Sequence, residues 1–114
     1  MSSKKKYLKK RTNIKCFCAK KQPPKDRVKY GTCKCDVIDM RVTLNKVISN
    51  YLYQYIYEAK KRICREDWDK LEEHADIIKN LADIDFWEED AEEKQKRWRT
   101  SMVWVLDNWW SLWY

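Results

Sequence analysis

The sequence predicts a mainly α-helical protein, in which a three-helix, bundle-like body over residues 36–114 follows a basic, cysteine-bearing N-terminal part. The only glycine (Gly31) and both prolines (Pro23 and Pro24) lie in the first third of the 114 residues, so the remaining chain contains neither helix breaker. Apolar residues in that remainder recur at intervals of three and four, as in a helix with one buried face. The first 35 residues contain thirteen Lys and Arg and one acidic residue, whereas residues 36–114 contain twelve Lys and Arg and seventeen Asp and Glu. The sequence therefore divides into a strongly basic part and a mildly acidic helical body.

Residues 1–13 form a polybasic segment whose apolar members are Tyr7 and Leu8. We expect it to be a flexible arm until a partner orders it. Residues 14–35 contain two strand-like stretches, 14–18 and 28–35, separated by the turn-prone residues 22–26. This pattern predicts either a long-looped β-hairpin or an irregular segment resembling a zinc knuckle.

Four cysteines of this segment form two pairs with one residue between the partners, Cys16 with Cys18 and Cys33 with Cys35. Alternate residues of a strand point to the same side, so antiparallel pairing would bring four sulfurs to one face. Four thiolates are the tetrahedral ligand set of a structural zinc, and nearby lysines favour the thiolate form. Zinc is the predicted cofactor. Disulfides, redox-active thiols and ordinary free cysteines are the alternatives.

The first long helix is predicted from an apolar stripe, and Asp36 or Asp39 is the candidate residue that caps its start. The stripe consists of Leu44, Val47, Ile48, Tyr51, Leu52, Tyr55, Ile56, Ala59 and Ile63. The pattern breaks over residues 62–66. A second, shorter helix capped by Asp67 is then predicted from Trp68, Leu71, Ala75, Ile78, Leu81 and Ala82.

The third helix is predicted to begin at Asp85, because Glu88 three residues later completes a capping-box pattern. Acids precede bases along it, which suits the helix dipole. Three pairs are spaced as ion pairs on one helix: Asp90–Lys94, Glu92–Lys96 and Glu93–Arg97.

The C-terminal part of this helix is rich in tryptophan. A helical wheel predicts one packing face from Trp98, Met102, Val105, Leu106, Trp109 and Trp113. Val103, Trp104, Trp110 and Tyr114 lie off that face. Because aromatic residues anchor protein interfaces, we expect contact with a protein partner or self-association. The candidate contact residues are Trp104, Trp110, Trp113 and Tyr114.

The basic part has the composition of a nucleic-acid-binding surface, since lysine clusters alternate with aromatic residues. The candidate phosphate contacts are Lys4, Lys5, Lys6, Lys9, Lys10, Arg11, Lys15, Lys20, Lys21, Lys25, Arg27, Lys29 and Lys34. No sequence-reading motif is present, so binding to DNA or RNA is expected to be directed mainly at the backbone. A solvated tail, an acidic protein and an anionic membrane surface are the alternative interpretations.

The sequence lacks the usual signatures of catalysis. His74 is the single histidine, it lies among acids, and it is interpreted as a boundary residue. One glycine cannot build a phosphate-binding loop. Glu58 beside Lys61 and Arg62 suits a helical ion pair. The chain contains no apolar run typical of a secretory signal or a transmembrane helix, so a cytoplasmic or nuclear protein is predicted.

These features predict a small, non-enzymatic regulatory or adaptor protein associated with nucleic acid. Its basic part would contact phosphates, and its Trp-rich helix would contact a protein. The alternative is a protein-interaction factor or inhibitor, for example one encoded by a phage or mobile element, that blocks a nucleic-acid-processing complex of the host.

Overall fold

The computed structural model describes residues 5–14, 40–84 and 87–112, and in these ranges the regular structure is helical, which confirms the predicted fold class. A short helix, α1 (Lys5–Lys9), precedes three longer ones, α2 (Met40–Ala59), α3 (Trp68–Asn80) and α4 (Ala91–Asp107). A 3₁₀-helix, Trp109–Ser111, follows α4. As predicted, the first and third helices of the body are the long ones, with 20 and 17 residues against 13. The predicted hairpin lies outside the described residues, apart from Ile14.

Helix α3 lies at the centre of the body and packs against both α2 and α4, while α1 packs on α2. The main core contains Tyr7 of α1, Val105 of α4 and residues of α2 and α3. A second, smaller cluster is formed by Leu81, Ile84 and Ala91, against which Trp98 packs. Burial of these side chains is the main source of stability for helices of this length.

The buried face of α2 differs from the predicted stripe. Leu44 and Tyr51 are exposed, whereas Asn45, Ser49 and Tyr53 are buried. The helix is therefore rotated by roughly a quarter of a turn from the predicted orientation. Apolar residues surround most of α2, so periodicity alone did not select a face. The small Ser49 allows close packing, and Tyr53 donates a hydrogen bond to Asp76 of α3, which compensates for burying its hydroxyl.

The predicted start of α4 at Asp85 is wrong, because the helix begins at Ala91 after a turn at residues 87–90. Asp90 occupies the position before the helix, without a hydrogen bond from its side chain to the backbone. Ala91 is buried with Leu81 and Ile84, so the first residue of the helix packs against the end of α3. The predicted pair Asp90–Lys94 is present at 3.4 Å, and Lys94 also contacts Glu88.

Two polar contacts join α2 to the far end of the body. Trp98 Nε1 donates to Asn45 Oδ1 at 3.0 Å, and Arg41 donates to the carbonyl of Ile84 at 2.9 Å. The first contact gives the buried amide of Asn45 a hydrogen-bond partner, because burying an amide without a partner would lower the stability of the fold. No helix of the described ranges is both long and apolar enough to cross a membrane.

Candidate nucleic-acid interface

Tyr7 connects the basic N-terminal segment to the body. Its side chain is only 4% exposed and belongs to the main core. Lys60, just after α2, donates from Nζ to the Tyr7 hydroxyl at 3.1 Å. The ammonium groups of Lys6 and Lys60 lie 5.1 and 5.5 Å from the centre of the Tyr7 ring. Since a ring face attracts cations, Tyr7 holds two lysines from distant parts of the sequence near one another.

The predicted flexible arm, residues 1–13, is described by the structure from residue 5 onward. Residues 5–9 form α1, which is too short to be stable alone and depends on packing against the body. The following residues also bind to α2: Asn50 exchanges two hydrogen bonds with the backbone of Thr12, at 2.6 and 2.8 Å. The N-terminal segment is thus part of the folded body where the structure describes it.

Five exposed cations form a basic cap at the end of α2. The basic cap consists of Lys6, Lys9, Lys60, Lys61 and Arg62. Lys61 lies over the ring of Tyr57 at 4.2 Å, and the hydrogen bond to Tyr7 raises the pKa of Lys60. Lys60 therefore remains charged at neutral pH. Glu72 of α3 contacts Lys6 at 3.8 Å.

Lys60, Lys61 and Arg62 were absent from the predicted phosphate contacts. In the sequence they are a short basic run within an acidic half, and Lys61 and Arg62 suited an ion pair with Glu58. The structure places Lys60, the first residue of this run, against Tyr7 of α1, where the chain turns at the end of α2. A run of three cations at a predicted helix end was the only sequence signal for this part of the site.

Lys10 was predicted to contact phosphate, but it lies between two carboxylates of α3. Its Nζ is 2.7 Å from Glu72 Oε2 and 3.1 Å from Asp76 Oδ1. Burial opposes its charge, but these two hydrogen bonds outweigh that effect and raise the pKa of Lys10. Lys10 therefore holds the N-terminal segment on α3, and its charge is largely neutralised within the protein. Arg11 remains exposed and donates to Gln54 Oε1 at 2.6 Å.

The other predicted sites are only partly described. For Lys5 the structure describes the backbone alone. The residues outside the described ranges are Lys4, Lys15, Lys20, Lys21, Lys25, Arg27, Lys29, Lys34, Cys16, Cys18, Cys33, Cys35, Trp113 and Tyr114. Within the described ranges, no group of three or more His, Cys, Asp or Glu is arranged to hold a metal ion.

Arg65 joins the loop after α2 to the 3₁₀-helix. Its guanidinium donates to the carbonyl and the hydroxyl of Ser111 at 3.0 and 3.1 Å, and to Asp67 Oδ1 at 2.6 Å. It also lies 5.8 Å from the centre of the Trp68 ring. The hydrogen bond from Arg65 lowers the pKa of Asp67. Asp67 precedes α3 as predicted, but its carboxylate binds Arg65 instead of capping the helix.

An aromatic groove separates α2 from the 3₁₀-helix. It has a volume of about 440 Å³ and is lined by Ile48, Tyr51, Leu52, Tyr55, Trp109 and Leu112. Tyr51 and Trp109 are 73% and 52% exposed, and the adjacent Trp110 is 91% exposed. A second cleft, of about 510 Å³, lies between α2 and residues 8–14; Tyr51 and Arg11 both line it. Tyr51 therefore stands where the two clefts adjoin.

The burial of two residues of the Trp-rich helix is the reverse of the prediction. Trp104, a candidate contact residue, is half-buried and stacks on His74, with 4.6 Å between ring centres. Leu106, predicted on the packing face, is 58% exposed. The small Ser101 is buried against α3, where its hydroxyl lies 3.0 Å from His74 Nδ1, and this contact orients α4. Trp110 is the candidate contact residue whose predicted exposure the structure confirms.

Comparison of the chain with protein-family models, with curated proteins and with solved structures finds no match. The fold and the site together define a small helical protein with an exposed basic cap and exposed aromatic side chains. Its function is inferred from these residues alone.

Proposed function

We propose that this protein is a non-enzymatic adaptor or regulator that binds nucleic acid, with the basic cap in contact with backbone phosphates. The observation that carries the proposal is the position of Lys6 and Lys60 around Tyr7, which joins the basic N-terminal segment to the cations after α2. Cations that neutralise phosphates release condensed counterions, so such a cluster gives affinity without sequence preference.

The acidic residues of α3 limit the directions from which a polyanion could approach the basic cap. The acidic side chains of α3, among them Asp69, Glu72 and Glu73, line a cleft between α3 and α4. Glu72 also contacts Lys6, so these acids border the cap on the side of α3, and a polyanion would approach the exposed cations from the other sides. The single histidine stacks on Trp104 and contacts Ser101, which is a structural arrangement, and this supports a role in binding over a role in catalysis.

The proposal is tested by measuring the fluorescence anisotropy of a labelled oligonucleotide across a salt series. The variant Lys60→Gln/Lys61→Gln/Arg62→Gln removes three cap charges. We expect it to bind more weakly and to reduce the slope of log affinity against log salt by about 2 to 3. The matched control is Lys96→Gln/Arg97→Gln/Arg99→Gln, which removes three exposed charges from α4.

The control is expected to bind nearly as tightly as the wild type, with a similar slope. Negligible binding by the wild-type protein at low salt would reject the proposal. Equal weakening by the two triple variants would also reject it, because the effect would then come from net charge and not from the cap.

A protein-interaction factor is the second candidate. It is favoured by exposed apolar side chains on the outer side of α4, Val103 and Leu106, which have no role in phosphate contact. In that case the basic cap would bind an acidic surface of a protein partner. Free nucleic acid would then bind weakly even at low salt, so the same titration separates the two candidates.

A further inference from the structure

The loop after α2 links the basic cap to the aromatic groove. Arg65 lies three residues beyond Arg62 in sequence and binds Ser111, which directly follows Trp109 and Trp110. Tyr51 lies on the opposite wall of the groove from Trp109. Along α2, Tyr51 is about 15 Å from the cap residues, at 1.5 Å per residue. That distance is the length of a few nucleotides.

The exposed rings are positioned where cations are available on two sides. Arg11 shares a cleft with Tyr51, and Arg65 binds Ser111 beside Trp109 and Trp110 on the other wall. Exposed aromatic rings between cations are the pattern by which proteins hold unpaired nucleic-acid strands, because every base has a face that stacks on an aromatic ring. In a duplex those faces are already covered by neighbouring bases.

We propose that the nucleic acid bound by this protein is single-stranded, with phosphates on the basic cap and unpaired bases stacked on Tyr51, Trp109 and Trp110. The inference rests on the proposed function and names its substrate class. Charge complementarity favours this occupant over a protein segment, since the groove adjoins cations that suit a polyanion. Stacking tolerates any base, which agrees with the lack of a sequence-reading motif.

The affinity for an oligothymidine of about 16 nucleotides is compared with that for a duplex of the same length, in the salt series described above. A third ligand is an abasic strand, which keeps the phosphates and lacks the bases. We expect the wild type to prefer the oligothymidine over both other ligands. Equal affinity for the normal and abasic strands would overturn the inference and leave phosphate binding intact.

Two single variants locate the stacking sites without disturbing the core. Tyr51→Ala and Trp110→Ala each remove a largely exposed ring, and we expect each to weaken oligothymidine binding by about tenfold. Neither variant should change the salt slope or the affinity for the abasic strand, because no phosphate contact is lost. The matched control is Trp87→Ala, an exposed tryptophan at the opposite end of α4, about 25 Å away.

The outcomes separate this inference from the function on which it rests. If the cap variant weakens binding while Tyr51→Ala and Trp110→Ala do not, phosphate binding stands and base stacking is rejected. If the wild type binds no strand, both proposals fail. The oligomeric state of the same proteins is measured by sedimentation. The wild type could be a dimer that Trp110→Ala converts to monomers while the affinity for oligothymidine is unchanged. That result would assign the rings to self-association and overturn the inference.

Discussion

At the scale of single residues, His74 shows how a titratable side chain is used in packing. It lies 3.0 Å from the Ser101 hydroxyl and stacks on Trp104, so it fills the contact between α3 and α4. Burial lowers the pKa of His74 below its usual value of 6.5, because the charged imidazolium loses hydration there. The unfolded chain therefore binds the proton more readily than the folded protein does.

This pKa predicts a pH-dependent stability. The contribution of neutral His74 is fully present above pH 6.5 and is lost as the pH falls from 6.5 toward the lower pKa of the folded state. We expect the midpoint of urea unfolding to decrease between about pH 7.5 and 5.5, a range in which ordinary carboxylates do not titrate. His74→Gln keeps a polar partner for Ser101 and should remove most of this dependence. If the urea midpoint of His74→Gln depended on pH as that of the wild type does, the pH dependence would not come from His74.

At the scale of elements, α1 is held by one buried ring and by a partly buried charge cluster just after the helix. Tyr7 enters the main core, and Lys10 lies between Glu72 and Asp76. Tyr53, which is fully buried, donates to the same Asp76, and the pKa of Tyr53 is raised by burial and then by that carboxylate. Tyr53 therefore stays protonated and keeps Asp76 in position for Lys10.

Removal of the Tyr7 ring is expected to release α1 from α2. We expect Tyr7→Ala to lower the free energy of unfolding by up to about 3 kcal/mol, because a large buried side chain is lost. Native-state hydrogen exchange of residues 5–14 should increase while that of α3 changes little. Tyr7→Phe is the control, since it keeps the buried ring and loses only the hydrogen bond from Lys60. Unchanged exchange in Tyr7→Ala would show that other contacts hold the segment.

The orientations of α2 and α4 show the limit of periodicity. Both helices were predicted, although α4 begins at Ala91 and not at Asp85. Their buried faces differ from the prediction: Tyr51 and Leu106 are exposed, while Tyr53 and Trp104 pack on the body. Each helix has apolar residues on several sides, so a wheel drawn from one helix gives no unique face. Ser49 of α2 and Ser101 of α4 are both buried, and these small residues lie on the faces that pack against the rest of the body.

At the scale of the whole molecule, the basic part and the helical body are connected both by the chain and by contacts. The segment that connects α1 to α2 contains four of the five cysteines, at positions 16, 18, 33 and 35. These cysteines lie outside the described residues, and zinc binding by them stays a prediction. Such a site would supply folding free energy to a segment that has few apolar side chains of its own.

The zinc prediction is tested by elemental analysis of purified protein. We expect about one zinc per chain, four cysteine ligands being the usual structural set. Cys33→Ser should lose the metal. Cys64→Ser is the matched control, because Cys64 is exposed and free in the loop after α2 and is not one of the predicted ligands. Zinc well below one per chain in the wild type, or equal zinc in both variants, would show the prediction to be wrong.

The amino-acid sequence by itself determined the helical class, the approximate positions of the three long helices and the separation of charge between the two parts. These properties follow from local features, namely the absence of glycine and proline after residue 35, the apolar period and the order of charges. The tertiary structure decided which faces are buried, that Tyr7 belongs to the core and that Lys60 contacts the basic segment. Those results depend on contacts between residues some fifty positions apart, such as Tyr7 with Lys60, and no local pattern contains them.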